Sequence, residues 1–165
     1  MKRISLLVFM SIASIKLFSQ GFVVPEDFEY VSTGDYSRQN ATIIKCVNWL
    51  ENTPANEQTH KRKKANGYLM KWLSGSSEVN IEVNEAVVTF VNSSPDLMMI
   101  FFGGWAKYSL ESGTNDKLQG NLAGLEAVIS FYSKNREYLK RDKHIEKLQR
   151  LQTKGTLTEF LSKRI

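Results

Sequence analysis

Ser94-Pro95-Asp96-Leu97-Met98-Met99-Ile100-Phe101-Phe102-Gly103-Gly104-Trp105-Ala106-Lys107-Tyr108 is the stretch on which the fold reading turns. Serine can cap a helix, proline fits its first turn and aspartate faces the positive helix end, so a helix is expected to open here. From Leu97 to Trp105 the stretch is apolar on every side, which predicts a central element that other helices surround. The apolar run Leu97 to Ala106 is ten residues and ends at Lys107, too short to cross a bilayer. Gly103 and Gly104 each cost about 1 kcal/mol relative to alanine in a helix interior. Two of them together predict a close crossing or a kink.

On the C-terminal side, Asp116 to Lys134 carries Leu118, Leu122, Leu125, Ile129 and Tyr132 on one face and Gly120, Gly124 and Ala127 roughly opposite, which predicts a helix buried on both. Its GxxxG spacing is interrupted by Asn121 and Glu126, so it points to close packing of soluble helices and not to a membrane pair. Tyr138 to Gln152 reads as an amphipathic helix. Thr156 with Glu159 matches a capping box for a last helix bearing Leu157, Phe160 and Leu161.

On the N-terminal side, Ile43, Cys46, Val47 and Leu50 share a helical face that stops at Asn52-Thr53-Pro54. A second helix is expected from about Asn56 to Leu73, with Ala65, Leu69 and Trp72 inward. Val79, Ile81 and Val83 alternate with polar residues as a strand would, yet no second strand exists to pair with them, so an isolated extended segment is expected. Glu85 to Val91 reads as a short helix with Ala86, Val87, Phe90 and Val91 inward. No repeat of fixed period is visible. The expected architecture is a single compact all-α domain, residues 37–165, of six or seven short helices around a central apolar helix at about 95–110, with residues 20–36 as an extended arm.

The whole chain has 165 residues, 42% hydrophobic and 24% charged, with 3 prolines, which fits one ordered domain plus a leader. Lys2 and Arg3, the apolar stretch Ile4 to Ile15 and a small residue at Ser19 reproduce the layout of a secretory signal peptide over residues 1–19. Cleavage there predicts an exported, periplasmic or extracellular product without a transmembrane segment. It would also remove Lys2, Arg3 and Lys16, leaving 19 basic against 17 acidic residues and lowering the net charge from +5 to +2. The high isoelectric point is then largely the leader's, and nucleic acid is not an expected partner.

Chemistry-bearing residues are few. Cys46 is the only cysteine, so no internal disulfide can form, and its helical face predicts a buried thiol. His60 and His144 each stand beside lysine, and no spacing of metal ligands or phosphate-cradling glycines occurs, so no metal or cofactor is expected. Ser74-Gly75-Ser76-Ser77 lacks the glycine spacing of a nucleophile elbow. Glu82 and Glu85 could supply two carboxyls for sugar hydrolysis, but their place before a short helix makes them dipole partners.

Charge is uneven. Lys61-Arg62-Lys63-Lys64 forms one basic cluster, and Lys140, Lys143, Lys147 and Arg150 fall on one side of the penultimate helix, opposite Ile145. The second set is the candidate surface for an acidic protein or an anionic envelope surface.

Gly67-Tyr68-Leu69, Val87 to Val91, Ser94-Pro95-Asp96 and Trp105-Ala106-Lys107-Tyr108 follow one another in an order that resembles small periplasmic helical immunity proteins: a GY helix, a loop, a short helix, a proline-started helix. The resemblance covers residues 67–108 and implies an all-helical inhibitor. The paired cysteines usual in such proteins are absent and the helices after Asp116 have no counterpart, so no binding residue is carried across. The leader ending in Ser19-Gln20 also resembles those of small exported Gram-negative proteins of unknown activity. The leading expectation is a non-catalytic exported helical protein that binds another macromolecule in the cell envelope. The alternatives are a hydrolase of unfamiliar site architecture and a periplasmic immunity-type inhibitor. A pocket above about 300 Å³ with convergent carboxylates, or serine with histidine, would favour the hydrolase.

Overall fold

The structure is a computed structural model that describes residues 22–26, 29–90 and 94–165; the expected leader lies outside them. Among the described residues there are seven helices and no strand: α1 (Thr33–Arg38), α2 (Asn40–Asn52), α3 (Thr59–Leu73), α4 (Pro95–Ser112), α5 (Lys117–Lys134), α6 (Lys143–Thr153) and α7 (Leu157–Ser162). The all-α expectation holds. The apolar α4 is the centre, packed against α5, α2 and α3, while α6 and α7 form a layer on the far side of α5.

The glycine pair sits where close approach demands it. A Cβ on Gly104 would lie 2.7 Å from Ala127 Cβ and 2.9 Å from the Ala123 carbonyl oxygen, and one on Gly103 would press on Val47 at 3.2 Å. The contact is reciprocal, because a Cβ on Gly124 would meet Phe101 and one on Gly120 would strike the Trp105 indole. Small residues on α5 thus let the large rings of α4 lie against its backbone, and Phe101 then stacks edge-on with Trp105 at 5.9 Å and Phe90 at 6.2 Å. Gly113, in the left-handed region at φ 68°, ends α4.

Several local expectations are corrected. Thr33 to Tyr36, read as part of the extended arm, belong to α1, because Asp35 Oδ2 accepts the N–H groups of Val31 at 2.8 Å and Ser32 at 2.6 Å and so caps a helix start. Residues 85–90 form turns, with the N–H groups of Val87 and Val88 both on the Asn84 carbonyl at 2.9 Å. Val87, Val88 and Phe90 are buried from that turn but Ala86 is exposed, and Val91 lies outside the described residues. One element behind the immunity-protein resemblance is therefore not a helix. The penultimate helix begins at Lys143 and not near Tyr138, since Asp142 accepts from His144 N at 2.8 Å and Ile145 N at 3.1 Å. Ser94 occupies the cap position of α4 without a side-chain cap hydrogen bond. The box expected at Thr156 does not close either: its hydroxyl approaches the Leu151 carbonyl at 3.4 Å and Glu159 binds Lys163 instead. Residues 79–84 run without helix, turn or bend, as the isolated extended segment expected there.

Candidate functional site

Most residues with chemical potential are consumed by the fold. Cys46 is fully buried in α2, its Sγ donates to the Ala65 carbonyl at 3.6 Å, and burial pushes the thiol up to about 12. A thiol so held is a poor nucleophile. His60 and His144 are exposed, and among the described residues no three His, Cys, Asp or Glu converge as a metal site. Ser74 donates its hydroxyl to the Met70 carbonyl at 2.8 Å, within a polar turn. Glu82 is engaged by Lys117 at 2.5 Å, and Glu85 stands exposed.

In the first basic cluster Lys63 and Lys64 are exposed, but Arg62 is not. Arg62 is 3% exposed and donates from Nη1 to the Leu50 carbonyl at 3.2 Å and from Nη2 to the carbonyls of Thr53 at 2.6 Å and Pro54 at 3.3 Å. These oxygens belong to the last turn of α2 and the bend after it, so the guanidinium is a C-terminal cap reaching over from α3. Its plane lies 5.2 Å from the Phe131 ring, and burial lowers its proton affinity, partly offset by Asp96. Lys61 lies 4.5 Å over the Trp49 ring, and Lys64 pairs with Glu26 at 2.8 Å. Sequence reasoning missed this role, though Arg62 precedes Ala65, Leu69 and Trp72 on the same buried helical face.

The second set fares differently. Lys143, Lys147 and Arg150 are exposed on α6 at i, i+4 and i+7, opposite the buried Ile145 and Leu148. Lys140 is exposed too, but in the segment before the helix. From residue 134 to the C-terminus, ten Lys and Arg stand against four acids, a net +6; residues 20–133 hold nine against thirteen, a net −4. Three of those four acids are spent inside the layer. Asp142 caps α6, and Glu146 accepts from Arg141 Nε at 2.8 Å and Nη2 at 3.0 Å while meeting Arg136 at 3.2 Å. Glu159 binds Lys163 at 2.6 Å. Hydrogen bonds from Arg141, and then the charges of Arg141, Arg136 and Arg150, hold the Glu146 carboxyl below its ordinary value. The Lys147 ammonium sits 5.3 Å from the centre of the Phe160 ring, and the residue is exposed.

Two clefts bear on catalysis. One of about 530 Å³ between the N-terminal segment and α3 is lined by Val24, Pro25, Glu26, Lys64, Tyr68 and Lys71; among the described residues its one carboxylate, Glu26, is paired to Lys64. Another, of about 330 Å³, lies over the α4–α5 crossing and includes Glu51, Glu111 and Glu126. Glu51 is bound to Lys107 at 2.8 Å, whose ammonium also meets Asn48 Oδ1 at 3.0 Å, and Glu111 and Glu126 are exposed. The carboxylates are there, but none is both desolvated and unpaired, as general acid catalysis asks. No family model matches this chain, and searches among curated proteins and among solved structures find no similar protein.

Proposed function

We propose that this chain is an exported, non-catalytic helical protein that binds an anionic macromolecule of the cell envelope through its C-terminal layer, with Lys140, Lys143, Lys147 and Arg150 at the centre of the contact. The observation that supports the reading is the unbalanced charge of that layer: three of its four carboxylates are occupied by Arg136, Arg141, Lys163 and the α6 cap, and the ammonium groups of Lys140, Lys143 and Lys147 have no carboxylate partner among the described residues. Such a face raises the association rate with a surface of opposite sign, and salt weakens it. Export rests on the leader, residues 1–19.

The test captures envelope partners from the native host with wild type and with the Lys143→Glu/Lys147→Glu variant, at low and high salt. The reading expects one set of partners that is lost both in the variant and at high salt; identical profiles in all four conditions overturn it. Intact-mass measurement of the protein from the host medium or periplasm tests export separately, with an N-terminus at Gln20 or Gly21 expected. The hydrolase reading is favoured by the carboxylates of the cleft over the crossing, and it requires a Glu51→Gln variant to lose a turnover that wild type displays on some envelope substrate.

A further inference from the structure

The segment Val79-Asn80-Ile81-Glu82-Val83-Asn84, after a bend at Glu78, runs without helix or turn, and among the described residues no backbone group of 79–83 bonds to another backbone group. The Asn80 N–H donates to Asn115 Oδ1, in the loop between α4 and α5, at 3.3 Å. Successive N–H groups of an extended chain point to opposite sides, so those of Val79, Ile81 and Val83 point away from Asn115. Beside them lies a groove of about 320 Å³ whose apolar lining is Val79, Ile81, Val83, Met70, Leu73 and Phe102 and whose polar lining includes Ser74 and Asn80. Val83 and Met70 remain 47% and 42% exposed. An open edge next to exposed apolar surface is a template for another strand.

We infer that the occupant is the same segment of a second copy, paired antiparallel about a two-fold axis at Ile81. The sequence is complementary to itself in that register. Val79 meets Val83, Asn80 meets Glu82 and Glu78 meets Asn84, so apolar faces apolar and every carboxylate faces an amide. The neighbouring registers that use the same outward N–H groups are worse: centred on Asn80 the pairing sets Glu78 against Glu82, and centred on Glu82 it sets that residue against its own copy. A register shifted by a single residue sets apolar against polar. In the Ile81 register, Val79, Ile81 and Val83 are the hydrogen-bonded positions, which are those whose N–H groups the body leaves unused. The contact is isologous and closes at two chains.

The test is sedimentation equilibrium of the full chain between about 10 µM and about 1 mM, with variants at Asn80. That residue is exposed and its side chain has no hydrogen bond among the described residues, so substitution there should leave the melting temperature unchanged. Asn80→Glu places like charges opposite one another twice in the dimer and should raise the dissociation constant on the order of tenfold. Asn80→Lys should lower it several-fold, and the exchange Asn80→Glu/Glu82→Asn should restore the wild-type value. Net charge alone predicts the opposite signs, because the acidic variant brings this positive chain nearer neutrality and the basic one takes it further away. A wild type monomeric across the range, a constant that follows net charge, or one that ignores all three substitutions overturns the inference.

Discussion

In the first two turns of α3, three of the four charges of the run Lys61-Arg62-Lys63-Lys64 find a partner within the chain, whereas Lys143 on α6, and Lys140 ahead of it, find none among the described residues, and Lys147 and Arg150 find only the Phe160 ring and the charge of Glu146. The difference follows from what each run has within reach. Near the first are the unpaired carbonyls at the end of α2, the Trp49 ring and Glu26. Near the second, three of the four carboxylates already belong to Arg136, Arg141, Lys163 and the helix cap. A positive charge in sequence becomes surface potential only where the fold has no local use for it.

The strongest way to break this contrast is Arg62→Ala. Three carbonyl oxygens lose their donor, two of them on bonds made in the interior, and a space opens beside Phe131, so destabilisation on the order of 3 kcal/mol is expected in chemical denaturation. For a chain of this length that corresponds to a fall in Tm of roughly 10 °C. Arg62→Lys should recover less than half of it, since one ammonium cannot reproduce the guanidinium fork over three acceptors. A loss below about 1 kcal/mol would mean that water caps α2 equally well and that the first run is surface after all.

Arg62 also marks where sequence reasoning stops. Continuous apolarity made α4 and its central place legible, and the glycine pair announced a close crossing or a kink without naming the partner, which is α5 at Gly104 and α2 at Gly103. A charged residue in a basic run reads as solvated unless its acceptors are known, and those acceptors are carbonyls at the end of another helix. Helix starts failed for a related reason. Thr156 and Glu159 have the right spacing for a box, but Lys163 one turn on competes for the carboxylate, while Asp142, which no box pattern marks, takes the two N–H groups that begin α6. At the candidate site the Lys143, Lys147 and Arg150 spacing and the inward Ile145 were legible from periodicity. The occupation of Glu146 by Arg136 and Arg141 was not, because Arg136 and Arg141 stand outside the helix and nothing in a helical period brings them to it.

Lys61→Ala probes the same contrast more gently. Its ammonium lies over Trp49 and is 5.8 Å from Phe22, so about 0.5 to 1 kcal/mol should be lost, against a change within about 0.5 kcal/mol for the exposed Lys63→Ala in the same run. Equal effects at the two positions would remove the distinction between a used and an unused lysine.

Acid separates the regions without mutation. Glu26 and Glu146 have carboxyls held below their ordinary values, chiefly by hydrogen bonds from Lys64 and Arg141. A carboxyl lowered in the folded state contributes fully above its unfolded value, about 4.3, and loses that contribution as pH falls through the folded one. Between neutral pH and about pH 3, NMR should therefore report release of the Arg141 and Lys64 contacts, while the Arg62 contacts persist because carbonyls do not titrate in that range. Release of Arg62 in step with Glu146 would show the two regions to be one cooperative unit.

The smallest effect on the fold belongs to the change with the largest consequence for binding. Lys143→Glu/Lys147→Glu alters two exposed positions on the outer face of α6, so stability should move by less than about 0.5 kcal/mol. The carboxylate introduced at position 143 sits at the positive end of the helix, which compensates in part for its repulsion with the second introduced carboxylate one turn on. Yet the net charge of residues 134–165 falls from +6 to +2. If potential is what this layer contributes, the loss should show in the association rate and in its dependence on salt, with dissociation nearly unchanged. A variant whose dissociation rate rises while its association rate holds would relocate the role of these lysines from long-range attraction to direct contact, and would make the second run resemble the first.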